Sequence, residues 1–195
     1  MSLTKAALRA AIVASSLESA SFAAEPSHVD VRVDAVAREV DRTLGATLRE
    51  RQAPALVHEH IAALLGDTRE ALRRTAPLRA QGPPAQGVTH LGAGLTLDGD
   101  TLRGSWRESS LDHWRSERSV RVVDQAITLR TKDGVLDDEI ELTPTPFGWR
   151  VSTTHRTDSP SGVGQQLGRD THYLDRRGTR MSSDEVRARR RAVRR

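Results

Sequence analysis

The stretch that decides the fold is residues 120–134, VRVVDQAITLRTKDG. Its apolar residues alternate with polar ones and lead to a turn at Lys132-Asp133-Gly134; they are Val120, Val122, Ile127 and Leu129. Alternation between turn residues is typical of antiparallel strands with one buried face and one wet face. This stretch therefore predicts antiparallel β-structure in the second half of the chain.

The same pattern extends in both directions from this stretch. Apolar residues flank the turn signal Asp98-Gly99-Asp100, and others lead to Pro144-Thr-Pro146-Phe-Gly148 and follow it. We interpret residues 89–156 as an antiparallel β-meander of four to five strands. Residues 108–118, ESSLDHWRSER, have a more helical composition and separate the first hairpin from the remaining strands.

Residues 25–76 have a helical period instead. Pro54 opens a helix that Gly66 is expected to end, and Asp67 with Glu70 resembles the capping box of a further short helix. The helix before Pro54 is marked by apolar residues every three or four positions, which are Val33, Val36, Val40, Leu44 and Leu48. The predicted fold class is α+β, with N-terminal helices followed by the meander.

The other segments are predicted to be arms and a loop. Residues 1–24 end in small residues and are expected to form an N-terminal helix or arm, with a secretory signal peptide as the alternative. Residues 77–88 contain three prolines and two glycines and are expected to form a loop. Residues 157–195 are predicted to be a loop and an extended basic arm, within which 183–195 can form a helix.

Composition excludes several chemistries. The chain has 195 residues, no cysteine and no asparagine, which excludes thiol catalysis, cysteine-ligated zinc, iron–sulfur clusters and N-glycosylation. Only six residues are aromatic, and five of them follow residue 100. Because each large ring contributes a few kcal/mol when it is buried, four of these are expected to anchor the core of the sheet: Trp106, Trp114, Phe147 and Trp149.

Positive charge is concentrated at the C-terminal end. The formal net charge of the chain is +4. Residues 169–195 hold ten arginines against four acids, a net of +6, which leaves a net of −2 for residues 1–168. Six arginines fall within the last nine residues and are the candidate contacts to a polyanion or to a partner protein: Arg187, Arg189, Arg190, Arg191, Arg194 and Arg195. Such a cluster binds polyanions through counterion release; an acidic neighbouring protein and a solvated chain end are the alternatives.

No residues are assigned to catalysis, to a cofactor or to a metal. The imidazoles of His58 and His60 are two positions apart and point in different directions on a helix, so we interpret His58-Glu59-His60 as a polar helix face. Asp137, Asp138 and Glu139 cannot all converge from one strand, and are expected to lie in a solvated turn that balances nearby arginines. The glycines of residues 162–168 are spaced one residue too far apart for a dinucleotide fingerprint, and predict a loop.

One arrangement resembles a known family. A helix ends in Arg73-Arg74-Thr75-Ala76-Pro77, and after a loop the chain continues as Gly99-Asp100-Thr101-Leu102-Arg103-Gly104-Ser105-Trp106 into antiparallel strands. This arrangement resembles the neck and tail-completion proteins of tailed phages. The resemblance implies a structural, non-catalytic subunit that forms a homo-oligomeric ring with neighbouring virion proteins at the head-to-tail junction or tail end of a phage or phage-like particle. It also implies assembly in the bacterial cytoplasm, without a cofactor or a membrane.

Two other interpretations stay open at this point. The chain is alternatively a nucleic-acid-binding accessory protein that contacts DNA through its arginine-rich C-terminal arm. It is also compatible with a small exported α+β domain that binds a ligand in a cavity lined by Trp106, Trp114 and Trp149.

Overall fold

A computed structural model describes residues 28–74, 88–92, 94–107, 115–157 and 165–194. Eight strands form one antiparallel sheet in which each strand pairs with the next along the chain. The strands are β1 (Val88–Gly92), β2 (Leu95–Asp98), β3 (Thr101–Arg107), β4 (Arg115–Val123), β5 (Ala126–Asp133), β6 (Leu136–Thr145), β7 (Gly148–Thr157) and β8 (Gln165–Asp175). The predicted α+β class is confirmed, but the predicted number of four to five strands is too low.

Helices precede and follow the sheet. The helices are α1 (His28–Val40), α2 (Ala46–Glu50), α3 (Ala55–Arg74) and α4 (Ser183–Val193), and a π-helical segment (Asp41–Gly45) joins α1 to α2. In the part of the chain that the structure describes, no helix has a stretch long and apolar enough to cross a membrane.

The core lies between α1–α3 and one face of the sheet, which we call the inner face. The five apolar residues that mark the helix predicted before Pro54 are at most 7% exposed, so the predicted buried face is confirmed. Four of them pack with α3 against the inner-face residues of β2–β8, including Leu97, Val120 and Leu142. The indole Nε1 of Trp149 donates to the carbonyl oxygen of Gln52, at 3.3 Å, and so ties the turn before α3 to β7.

The expected helix end at Gly66 is wrong, because α3 runs without interruption from Ala55 to Arg74. A glycine inside a helix costs only about 1 kcal/mol relative to alanine. Burial of Leu64 and Thr68 on either side of Gly66 offsets this cost. The carboxylate of Asp67 is 2.5 Å from the Nε of Arg118 in β4, so Asp67 connects α3 to the sheet rather than capping a new helix.

Two segments expected to be non-strand belong to the sheet. Residues 115–118 were expected to be helical but are extended in β4, where they pair with β3 and β5. Residues 165–175 were expected to be loop and arm, but form β8 along β7, so the sheet does not end at residue 156. Leu174 is the only buried residue of β8, and the strand therefore lacks the apolar alternation that identifies strands in a sequence.

Several expectations lie outside the described residues. These concern the N-terminal segment 1–24, the loop residues 77–87 with the Ala76-Pro77 helix end, the side chain of Trp114, and Arg195. Trp106 and Trp149, 8% and 4% exposed, are confirmed as residues of the sheet core. Phe147 is also buried, at 8% exposed, but it packs with Met181 and Val186 in a separate cluster.

Gly104 makes room for Trp106 in the core. Both residues lie on the inner face of β3, and a Cβ atom on Gly104 would overlap the six-membered ring of the Trp106 indole. The indole therefore lies over the glycine two positions earlier in the same strand, and a methyl group at residue 104 would displace it.

We expect Gly104→Ala to lower the free energy of unfolding by about 1–3 kcal/mol, the usual cost of overpacking a core. The matched control is Gly66→Ala in α3, where an added Cβ meets no atom within 4 Å. That change is expected to raise stability by up to about 1 kcal/mol, because alanine favours the helix. Urea unfolding of both variants measures the difference, and a neutral Gly104→Ala would contradict this packing.

Candidate nucleic-acid interface

Helix α4 is fixed at its N-terminus by a capping box. The Ser182 hydroxyl accepts a hydrogen bond from the Glu185 backbone N–H, at 3.3 Å, and the Glu185 carboxylate accepts one from the Ser182 N–H, at 2.8 Å. The hydrogen bonds from the backbone and hydroxyl of Ser182 hold the pKa of Glu185 below its usual value. The helix predicted within residues 183–195 is therefore confirmed, with a defined start.

A small apolar cluster holds α4 against the sheet. Val186, Phe147 and Met181 are buried together, and the half-buried Tyr173 packs against them. The ring centroids of Phe147 and Tyr173 are 6.0 Å apart. Since Tyr173 lies in β8, α4 is docked on the corner of the sheet, and the expectation of an extended C-terminal arm is wrong for residues 165–194.

The structure divides the predicted arginines into groups. By helical spacing, Arg187, Arg191 and Arg194 share one side of α4 and form a stripe on its exposed surface. Arg190 instead lies 5.1 Å above the centroid of the Tyr173 ring and donates to the Tyr173 hydroxyl. Arg189 is exposed on another side of the helix, away from the stripe.

Acidic side chains balance only part of the positive charge of the stripe. A guanidinium nitrogen of Arg187 is 2.5 Å from a carboxylate oxygen of Asp184 in the first turn. Within the described ranges, the side chains of Arg191 and Arg194 have no ion-pair partner. The structure therefore keeps positive charge on this side of α4 available to a ligand.

Further arginines lie on the other face of the sheet, the outer face, next to α4. Arg150 is directly opposite Tyr173 in the register of β7 and β8, and Arg169 is opposite Thr154. Sequence reasoning missed both residues. The alternation that placed Trp149 and Val151 in the core also places Arg150 on the wet face, but nothing in the sequence identified β8 as a strand.

A row of acids on β6 borders this region. Asp137, Glu139 and Glu141 share the outer face, whereas Asp138 lies on the inner face and its carboxylate is 2.7 Å from the Nδ1 of His155. The prediction that these neighbouring acids do not all converge is confirmed. In the described residues, no group of three or more histidine, aspartate or glutamate side chains is placed to hold a metal ion.

Asp137 is not the solvated turn residue that its sequence predicts. It lies within β6, is 3% exposed, and accepts two hydrogen bonds from Arg130, at 2.7 and 2.6 Å. These bonds from Arg130 hold the pKa of Asp137 below its usual value against the opposing effect of burial. An arginine does compensate the charge of this acid, as expected, but the two side chains form a bidentate pair within the sheet and not in a solvated turn.

His60 also departs from the predicted polar helix face. His58 and Glu59 are exposed, but His60 is half-buried and its Nε2 has no hydrogen-bond partner in the described structure. Burial and the nearby Arg118 lower the pKa of His60. A histidine that is kept neutral between helix and sheet serves packing, and it lies on the opposite side of the sheet from the outer face.

A ligand cavity lined by Trp106, Trp114 and Trp149 was one interpretation of the sequence. Around the two of these tryptophans that the structure describes, core side chains fill the space. Trp106 and Trp149 belong to the packed core cluster, together with Leu102 and Val151.

Comparison with known proteins gives no relative for this chain. No family model matches its sequence, and neither a curated protein nor a solved structure matches it. We therefore infer the function of this chain from the geometry described above.

We expect Asp137→Asn to lower the free energy of unfolding at pH 7 by about 1–2 kcal/mol, because it removes a charged hydrogen-bond acceptor from Arg130. The lowered pKa means that the ionised carboxylate stabilises the fold above the unfolded-state pKa of about 4, and that this contribution disappears as the pH falls through the folded-state pKa. The variant should therefore lose less stability than the wild type between about pH 5 and pH 2.

The control is Asp138→Asn, which removes a half-exposed carboxylate on the inner face of the same strand. Its cost should be under about 1 kcal/mol. Thermal unfolding across this pH range measures both variants, and parallel pH profiles for wild type and Asp137→Asn would contradict the role of the pair.

Proposed function

We propose that this protein is a non-catalytic binding subunit whose helix α4 binds the phosphate backbone of nucleic acid. The observation that carries the proposal is the stripe of Arg187, Arg191 and Arg194 on a helix that is fixed to the sheet through Val186. Two of these three guanidinium groups have no acidic partner in the described structure.

The physical basis is electrostatic. Arginines that neutralise phosphates release condensed counterions, which gives strong, salt-dependent and sequence-independent affinity. Guanidinium groups form bidentate hydrogen bonds with phosphate oxygens. A docked helix also presents its charges with little further loss of backbone entropy, since the capping box and the Phe147 cluster already order it.

We expect the triple variant Arg187→Gln, Arg191→Gln, Arg194→Gln to weaken binding to DNA by at least tenfold at about 0.1 M salt. The slope of log K against log salt concentration should fall in magnitude by about 2.7, because each lost phosphate contact removes about 0.9. Fluorescence anisotropy of a labelled DNA, measured over a range of salt concentrations, gives both quantities.

The matched control removes the same charge elsewhere, through Arg32→Gln, Arg38→Gln and Arg121→Gln. Arg32 and Arg38 lie on α1, and Arg121 lies on β4, three strands away from β7. Equal loss of affinity in the two triple variants would show that only net charge matters, and would reject α4 as the binding element.

A second candidate is the ring-forming subunit of a phage or phage-like particle, which the resemblance implies. The outer edge of β8, which is open beside Arg169 and Thr171, favours it. At the end of β8, the Asp175 N–H donates to the carbonyl oxygen of Thr179, at 2.9 Å, and the Met181 N–H donates to the carbonyl oxygen of Tyr173, at 2.8 Å. The backbone groups of these odd-numbered residues of β8 therefore point away from β7, and residues 179–181 pair with this end of the edge. By strand alternation the backbone N–H groups of Arg169 and Thr171 also point away from β7, and no described strand pairs with them, so this part of the edge can pair with another chain.

If β8 joins neighbouring subunits, the purified full chain should form a closed oligomer of one defined mass in sedimentation velocity. Thr171→Pro should shift the distribution to monomer without unfolding, because proline removes an N–H donor at the outer edge of an edge strand. A wild-type protein that stays monomeric at every concentration would count against this second candidate.

A further inference from the structure

Building on the proposed function, we infer that the interface continues from α4 across the outer faces of β7 and β8, and that its ligand is double-stranded nucleic acid, held by phosphate contacts without base readout. Tyr173 links α4 to the outer face of the sheet. This residue contacts α4 through Arg190 and is directly opposite Arg150 on β7. Arg150 therefore extends the positive stripe of α4 onto the sheet.

Arg169 extends the same surface further along the strands. It is four residues from Tyr173 in β8, or about 13 Å along an extended strand. Its Nε donates to the buried hydroxyl of Ser152, at 3.1 Å, which orients the guanidinium group over the sheet. In the described structure neither Arg150 nor Arg169 has an ion-pair partner.

The remaining side chains of this surface suit a phosphate backbone. In the register of β7 and β8, the outer face holds one acid, Asp175 at the end of β8, whose carboxylate accepts hydrogen bonds from the backbone N–H groups of Arg177 and Thr179. The other outer-face side chains are basic, hydroxyl or amide groups: Arg150, Ser152, Thr154, Arg156, Gln166, Arg169, Thr171 and Tyr173. Arginine, serine, threonine, glutamine and tyrosine are among the side chains that contact phosphate oxygens. One acid on the outer face of two strands contrasts with the three acids on the same face of β6.

The acidic row on β6 defines the border of the surface. Asp137, Glu139 and Glu141 lie on the same face, one strand away from β7. The carboxylate of Asp137 accepts hydrogen bonds from Arg130. A carboxylate oxygen of Glu139 lies 3.9 Å from a guanidinium nitrogen of Arg156. In the described structure Glu141 has no ion-pair partner, so its negative charge disfavours a polyanion over β6 and favours one along β7 and β8.

The aromatic residues favour a duplex over a single strand. Proteins that bind single strands stack the bases on exposed aromatic rings. Here the ring of Tyr173 is covered by Arg190 and Phe147, and Trp106 and Trp149 are buried, so the described residues offer no stacking platform. Without stacking, affinity depends on charge density, which is highest in a duplex, at one phosphate charge per about 1.7 Å of helix axis.

The test compares Arg150→Gln/Arg169→Gln with wild type and with the control Arg38→Gln/Arg121→Gln, all as full chains. The ligands are two labelled DNA duplexes of unrelated sequence and a single strand taken from one of them. Each duplex is about 20 base pairs long, the length of a typical protein-binding site. We expect the first variant to bind both duplexes on the order of tenfold or more weakly at about 0.1 M salt, with a salt slope reduced by about 1.8. The control and Arg150→Lys/Arg169→Lys should retain most of the wild-type affinity, and the single strand should bind wild type more weakly than the duplexes.

The outcomes separate this inference from the proposed function. Wild-type duplex affinity in Arg150→Gln/Arg169→Gln, together with a loss in the α4 triple variant, would overturn the extended interface and leave the α4 proposal standing. A single strand that binds as tightly as the duplexes would overturn the assignment of the ligand. A wild-type chain that binds neither form, or that binds only an acidic protein, would reject the proposed function as well.

Discussion

The structure depends on the burial of one face of a wide antiparallel sheet beneath α1–α3. Leu44, Leu48, Val57 and Leu64 on the helices and the Leu, Val and Ile residues of the central strands form one continuous apolar layer. A fully buried aliphatic side chain of this kind contributes about 1.5–3 kcal/mol, so this layer is the main source of stability. Because α1–α3 cover only one face of the sheet, the other face of the same strands is exposed to water.

Alternation along each strand then determines the chemistry of that outer face. The residues between the buried ones are charged or hydroxylated, and strand pairing arranges them in rows, with acids on β6 between bases on β5 and on β7–β8. The Asp137–Arg130 pair compensates charge on one side of this border. On the other side, α4 is held through Val186 and Tyr173, and it adds arginines to strands whose single acid on this face, Asp175, lies at the end of β8. The positive surface is thus a consequence of strand register and of one docked helix.

Apolar periodicity explains what could be predicted from the sequence. It located the buried faces of α1–α3 and the apolar alternation between residues 95 and 151, because burial on one side leaves a period of 3.6 or 2. It gave too few strands and missed the extended start of β4, where residues 115–118 lack apolar side chains. It missed β8, which is held mainly by backbone pairing to β7, and it placed a helix end at Gly66 because a local breaker cannot reveal the packing that offsets its cost. The arginine cluster was evident from composition, but Arg150 and Arg169 join it only through the register of β7 and β8.

The most direct test of the account is covalent labelling of arginines with a dicarbonyl reagent, read by mass spectrometry, in the full chain with and without a DNA duplex. The account predicts that the duplex protects Arg150, Arg169 and the α4 stripe of Arg187, Arg191 and Arg194. Labelling of Arg38 and Arg121, which lie on α1 and on β4, should be unchanged. Uniform protection of all arginines, or none on α4 and the β7–β8 face, would contradict it.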